Sequence, residues 1–409
     1  MSAATAAVPA APDAAAIAPV AAPPARGRLE AIDRLRGVVM VLMALDHARD
    51  FLGSGANPTD LSTTTPFLFF TRWITHFCAP VFVLLAGTSA YLSTTRKSPA
   101  ELSRFLLARG AWLVLLELTV VRFAWIFDPG WHFVFAQVIW AIGWSMIALA
   151  ALSRLPVRAV AAFGVVVVAG HGLLDGIHAD ALGRWRPLWL VLHEQGLAGT
   201  VLGAPAFVAY PLVPWVAVMA CGWALGAWMR LEPVVRRRRV ARLGAALCVV
   251  FVVVRALDRY GDPHRWVAQP RAALTVAAFL NCAKYPPSLD YLTMTLGPAL
   301  LVLAMLDRPL DRPLGRALDR ALTIVSVYGR VPLFYYVAHL LVIHVVAVVA
   351  TAPREGLAAL WHVYLRAPAG ASLPVVYLAW LAIVIALWWP CRWFADVKAR
   401  RRDWWLGYL

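Results

Sequence analysis

About ten runs of apolar residues, each near the length that crosses a bilayer, occupy most of this chain between residues 36 and 395. That feature narrows the choice of fold more than any other. A hydrocarbon core of about 30 Å takes about 20 residues of helix to cross. Lipid offers no hydrogen bonds to the backbone, so a spanning segment must be a helix or part of a closed barrel. The runs lie near 36–55, 70–93, 105–126, 133–153, 157–174, 206–230, 241–257, 289–306, 321–350 and 373–395. They are continuously apolar rather than alternating, which favours helices over barrel strands. The fifth and seventh are short, and the ninth is long enough to be kinked or broken. The chain is 61% hydrophobic and 15% charged, against about 45–50% and 25% for a soluble domain. The expected fold is an all-α polytopic integral membrane protein with about ten transmembrane helices. Residues 1–27 are rich in Ala and Pro, and five prolines break them up too often for a signal peptide. They read as a disordered tail, leaving 28–409 as a single transmembrane domain.

The net charge is +16. In a soluble protein that would suggest nucleic acid, but no nucleic-acid module is present and the cations sit in loops. Connections after the even-numbered runs hold Arg96, Lys97, Arg104 and Arg109; Arg154 and Arg158; Arg230 and Arg236 to Arg239; Arg308, Arg312, Arg316 and Arg320; then Lys398 and Arg400 to Arg402. The loop at 53–69 has no Lys or Arg. The positive-inside rule then puts both termini in the cytoplasm and the 53–69 loop outside. The expected location is a cell (inner) membrane, crossed several times. Five Cys are scattered, with no CxxC pair and no zinc spacing. No HExxH, Walker A, GxGxxG or GxSxG motif occurs, and a metal site is not expected.

Ionisable residues at membrane depth are costly and mark sites by default. Asp46, His47 and Asp50 fall at the external end of the first run, at spacings that put His47 and Asp50, and Asp46 and Asp50, on shared helical faces. His47 is thereby a candidate base, oriented by Asp50 or Asp46, with Arg49 neutralising a carboxylate. Arg72 and His76 open the second run and face the first cluster across the loop. Glu117 lies deep in the third run and is expected in a structural pair between helices. His171 and Asp175, four apart, form a candidate His–carboxylate pair on the external side. Lys284 and Tyr285 precede Pro286-Pro287, and a cation there could polarise a carbonyl or hold an anion. Arg330 stands beside a helix break in the ninth run, which then carries Tyr335, Tyr336, His339 and His344. Each of these has a plainer reading as a snorkelling, interfacial or packed residue.

Several stretches recur together: Arg36-Gly37 with Met43 to His47, Phe82 to Gly87, Gly222 to Gly226, Lys284 to Ser288, and Gly329 to Phe334 with His339. In this order they make the chain, over about residues 28–409, resemble the membrane acyltransferases allied to heparan-α-glucosaminide N-acetyltransferase. The resemblance implies transfer of an acetyl group from cytosolic acetyl-CoA to a sugar or polysaccharide acceptor across the membrane. By position, His47 falls where the lysosomal enzyme has an Asn, and the chain has no His between His47 and His76. In that reading His47 is the base, with Asp46, Asp50, His76 and His339 as further candidate catalytic groups. Arg72, Lys284, Tyr285, His171 and Asp175 face the acceptor, and Arg36 and Arg330 hold CoA phosphates. The partners expected are the bilayer, acyl-CoA and a carbohydrate, with a homodimer as candidate oligomer and no nucleic acid. The alternative is a small-molecule transporter or exporter with ionisable residues in a membrane cavity. That class tends to carry inverted repeats, which are not evident here.

Overall fold

The computed structural model describes residues 30–308, 315–356, 369–401 and 403–407. The tail expected over 1–27 lies outside them. The chain is mostly helical: α1 Glu30–Leu52, α2 Pro66–Thr75, α3 Cys78–Ser93, α4 Pro99–Leu116, α5 Arg122–Ile126, α6 Val138–Leu152, α7 Val157–Gly170, α8 Arg186–Leu192, α9 Leu212–Trp228, α10 Pro233–Leu257, α11 Ala272–Leu280, α12 Leu289–Leu306, α13 Arg316–Arg330, α14 Pro332–Glu355 and α15 Leu373–Arg400. Every apolar run of the sequence overlaps a helix or a bent pair of helices. α2 and α3 form one bent segment, and α13 and α14 break at Val331, before Pro332. A Pro at the first helical position starts a helix readily but cannot continue the preceding one. Among the described residues, six helical segments are long and apolar enough to cross a membrane, and α6 and α9 are shorter apolar helices.

α1 is the central helix: 16 of its 23 residues are buried. It packs against α2, α3, α12, α13, α14 and α15. α7, α10 and α15 lie at the periphery and leave Val165, Val166, Val249, Leu378, Trp389 and Trp393 exposed. A continuous apolar exterior of this kind is a lipid-facing surface.

Glycine decides how closely the central helices approach, as membrane helices without a hydrophobic drive between them require. A Cβ on Gly329 would lie 1.9 Å from the Asp33 carbonyl oxygen, and one on Gly37 would lie 2.0 Å from that of Val325. Hence α1 and α13 cross backbone to backbone. Gly222 and Gly87 do the same for α3 and α9, where Thr88 Oγ1 donates to the Gly222 carbonyl at 3.0 Å. Gly329→Ala is expected to destabilise the protein by about 1–3 kcal/mol through overpacking. Gly176→Ala, with nothing within 4 Å of an added Cβ, is expected to leave the midpoint of thermal unfolding unchanged. Equal midpoints for both variants would refute the close-crossing argument.

The helices carry ordinary start signals. Ser98 and Glu101 form a reciprocal capping box at α4. Thr65 caps α2 and Ser288 caps α12. Glu117 is fully buried in a π-helical turn (Glu117–Val121), and its Oε2 accepts from Trp140 N at 3.0 Å. It therefore caps the start of α6 from a neighbouring helix, rather than pairing with a cation.

The expected all-α fold misses one element, a small three-stranded sheet. β1 (Val134–Ala136) runs parallel to β3 (Ala204–Val208), and β2 (Gly196–Val201) is antiparallel to β3. The β2–β3 turn has positive φ at both Leu202 and Gly203, the conformation that matches the twist of a tight hairpin. Arg122 anchors the approach to β1: it donates to the Phe133 carbonyl and pairs with Asp128. Burial raises the Asp128 carboxyl, but hydrogen bonds from His132 and Gly130, with Arg122, outweigh it and leave Asp128 below its ordinary value. In the sheet Phe135 sits opposite Phe207.

Candidate active site

The loop ends of α1 and α2 meet in a dense ion cluster. Arg72 Nη1 donates to Asp46 Oδ2, and Arg49 Nη2 lies 2.9 Å from Asp46 Oδ1 and 2.5 Å from Asp50 Oδ1. The helix end itself is closed by the chain before α15. The amides of Ala369 and Ala371 donate to the Phe51 and Leu52 carbonyls at 3.1 and 2.8 Å, which would otherwise lack partners at a helix C-terminus.

A cavity of about 660 Å³ opens beside this cluster. Asp46, His47, Arg49, Asp50 and Arg72 line it from α1 and α2, and Lys284 and Tyr285 from the loop before α12. The sheet supplies Phe135 and Phe207, the segments around it supply Gln137, Gln195 and Tyr210, and Trp125 comes from α5. The Lys284 ammonium lies 5.1 Å from the Tyr285 ring centre and 5.9 Å from that of Tyr210. Burial raises the Tyr285 phenol, yet Lys284 and Arg72 outweigh that and bring it below its ordinary value. Tyr285 is thus a stronger hydrogen-bond donor than a free phenol.

His47 is not oriented by Asp46 or Asp50, as its spacing suggested. Its Nδ1 lies 2.7 Å from His339 Nε2, and His339 Nδ1 lies 2.7 Å from the Tyr335 carbonyl oxygen. The two imidazoles are parallel, 3° apart in plane. This chain of bonds fixes the proton positions. A carbonyl can only accept, so neutral His339 carries its proton on Nδ1 and accepts at Nε2. His47 must then donate from Nδ1, which leaves its Nε2 with a lone pair. Asp46 and Asp50 instead neutralise Arg72 and Arg49.

A second cavity, about 590 Å³, lies along the same face of α1. Arg36, Met40 and Met43 line it, at helical spacings that lead on to His47 in the first cavity. From Arg36 to His47 is about 16 Å along the axis. Arg109, Arg330 and Lys398 add three more cations, and Phe82, Ile142 and Tyr336 are among its apolar and aromatic walls. Arg36 is held by the Gly329 carbonyl at 3.3 Å and Ser89 Oγ at 3.0 Å. The close α1–α13 crossing therefore positions both Arg36 and Arg330. The two cavities are separated by aromatic rings. Trp125 Nε1 donates to Tyr336 Oη at 3.4 Å, and the His47 ring centre is 4.8 Å from Trp125 and 6.0 Å from Tyr336.

Among the residues expected at a site, Asp46, His47, Asp50, Arg72, Lys284 and Tyr285 share the first cavity. His339 supports His47 from behind, and Arg36 and Arg330 share the second cavity. His76 lines an adjoining cavity of about 450 Å³ with Arg72 and Lys284. His171 and Asp175 do not line the first cavity, and Asp175 bonds to His193 at 3.1 Å rather than to His171. Sequence reasoning missed Trp125, Gln137, Gln195 and Phe207. None has a spacing signal: Trp125 sits on a five-residue helix too short to show a repeat, and the others reach the cavity through a turn or a short strand.

The sequence model of one family, described as heparan-alpha-glucosaminide N-acetyltransferase, catalytic, matches residues 28–258. No curated protein matches the chain.

Proposed function

This chain belongs to the heparan-alpha-glucosaminide N-acetyltransferase catalytic family, and on that footing we propose that it moves an acetyl group from cytosolic acyl-CoA to a sugar hydroxyl or amine on the external face. The observation that carries the reading is the pair of cavities on one face of α1, one lined by four cations and the other by His47, with His47, Trp125 and Tyr336 between them. Loop charge supports the sidedness: the basic loops belong to the Arg36 end and the loop without Lys or Arg to the His47 end.

In this mechanism the nucleotide phosphates of the donor bind Arg36, Arg109, Arg330 and Lys398, and guanidinium groups suit phosphate through paired donors. The pantetheine arm lies along Met40 and Met43, which brings the thioester to Tyr336. The acceptor occupies the first cavity. His47 Nε2 takes the proton of its hydroxyl or amine as the new bond to the acyl carbon forms. The carbonyl electrons move onto oxygen, and Lys284 with the acidified Tyr285 stabilises that oxyanion. Collapse re-forms the carbonyl, breaks the carbon–sulfur bond and releases the CoA thiolate, which is protonated from the imidazolium or solvent.

The test is CoA release by purified protein in detergent, given acetyl-CoA and a panel of amino sugars and polysaccharides. Acceptor-dependent release is expected. Absence of both CoA binding and release under all conditions would sink the enzyme reading and favour the transporter. Arg330→Gln is expected to raise the KM for acetyl-CoA about tenfold, the effect of losing one charged hydrogen bond of about 1.4 kcal/mol. The KM for the acceptor should stay unchanged, and a change confined to the acceptor would remove Arg330 from the donor site.

A further inference from the structure

The cluster at His171, Asp175 and His193 belongs to neither cavity and has no part in the mechanism above. His171 closes the end of α7, Asp175 follows its 3-10 turn, and His193 ends α8. Potential ligand atoms of the three lie within 4.8 Å of one another, and they form the only such group of His, Cys, Asp or Glu among the described residues. His171 and His193 are 4% and 3% exposed. Neither ring nitrogen of His171 makes a hydrogen bond of ordinary geometry, although the Pro287 carbonyl lies near one of them. The Nδ1 of His193 lacks a hydrogen-bond partner. A buried polar atom without a partner is a cost that native structures rarely carry unless an ion or water satisfies it.

We propose that His171, Asp175 and His193 bind one divalent transition-metal ion of the zinc class. Two imidazoles and a carboxylate are the donor set such ions favour, with metal–ligand bonds of about 2.0–2.2 Å. Those bond lengths at a tetrahedral angle separate neighbouring ligand atoms by about 3.3 Å. His193 Nε2 and Asp175 Oδ1 already stand 3.1 Å apart, so one edge of the polyhedron is in place. His171 completes the third position by a small closing movement, and a water takes the fourth. Tyr260 Oη and Asp175 Oδ2 both lie 3.5 Å from the point where a Cβ on Gly172 would sit, so the phenol stands at the edge of the site.

The role of this ion is to set the shape of the first cavity. It ties the end of α7 to the end of α8, across the whole segment from 171 to 193. Gln195 lies two residues beyond His193, and the β2–β3 hairpin that carries Phe207 follows directly. Gln195 and Phe207 line the cavity, and none of the three ligands does. Closing such a segment through a metal stabilises it by restricting the unfolded chain and by the binding energy of the ion.

The test uses full-length protein purified in detergent without a polyhistidine tag, stripped with a chelator and titrated with Zn²⁺ against a chromophoric competitor. One equivalent per chain is expected, with the visible absorption bands of a tetrahedral site when Co²⁺ replaces Zn²⁺. His193→Ala and Asp175→Asn should each lose that equivalent, and Zn²⁺ should raise the unfolding midpoint of the parent protein but not of Asp175→Asn. His171→Gln serves where a variant fails to fold. No stoichiometric uptake by the parent protein, or uptake that survives in the folded variants, overturns the proposal. None of these readouts depends on acyl transfer, so failure here leaves the proposed reaction standing.

Discussion

His47→Asn is expected to cut acyl transfer by a factor of about 10²–10⁴, the usual contribution of a positioned general base. The Asn side chain places an amide nitrogen where imidazole Nδ1 sits, so the bond to His339 Nε2, 2.7 Å in the parent protein, can be kept while Nε2 disappears. That separates chemistry from packing. His47→Ala removes both: it strands His339 Nε2 in a fully buried position and is expected to cost about 1–3 kcal/mol of stability in addition to the activity. Acetyl-CoA binding, measured by calorimetry, should survive in His47→Asn, because His47 lines the first cavity and not the second. Parent-level turnover in His47→Asn would remove His47 from the reaction. Trapping of an acylated parent protein without acceptor would instead make His47 a nucleophile, since the same lone pair can attack carbon.

The second large effect concerns the ion cluster. Asp46→Ala is expected to destabilise the protein by about 3–5 kcal/mol, the cost of breaking a buried ion pair by removing one partner. Asp46 and Arg72 are mostly buried, and Asp46 also faces Arg49. Arg49 keeps Asp50, so the uncompensated charge falls on Arg72. The value should lie toward the lower end, because Arg72 lines the cavity and can recruit water. Asp46→Leu with Arg72→Met is expected to recover most of the lost stability, since apolar groups of similar volume often replace a buried pair without loss. Activity should not return in that double variant if Arg72 holds the acceptor. Thermal unfolding of the parent, Asp46→Leu, Arg72→Met and the double variant in one detergent decides the matter. An additive loss in the double variant would contradict the pairing.

Much of the helical frame was legible because spanning length and loop charge are local signals. The ninth run shows this well. Gly329-Arg330-Val331-Pro332 announces a break, and the helix ends and restarts there because Pro332 supplies no amide to continue it. That Arg72 meets the cluster around Asp46 was also readable, since a short loop joins their helix ends, but its pairing with Asp46 itself was not. Nor was the His47–His339 bond. It joins residues 292 apart, and periodicity reports which face of a helix is special, not which distant helix it meets. The carboxylates next to His47 in sequence were the nearer guess, but Arg72 and Arg49 hold them. β1 has three residues, too few for an alternating pattern, and it sits at the head of an apolar run that reads as one helix. His193 is an isolated histidine in a long loop, and only the fold brings it to Asp175. Short family-like stretches had a structural meaning that sequence did not show: Gly37, Gly87, Gly222 and Gly329 are the points where central helices touch backbone to backbone.

In the proposed reaction, donor and acceptor enter the two cavities from opposite faces of the membrane. Sealed proteoliposomes test this directly, with the acceptor sugar trapped inside, acetyl-CoA added outside, and orientation fixed by protease access to the basic loops. Acetylated sugar should accumulate inside only where the protein presents its basic loops, and so Arg36 and Arg330, to the outer solution. Transfer that requires donor and acceptor in the same compartment would contradict it.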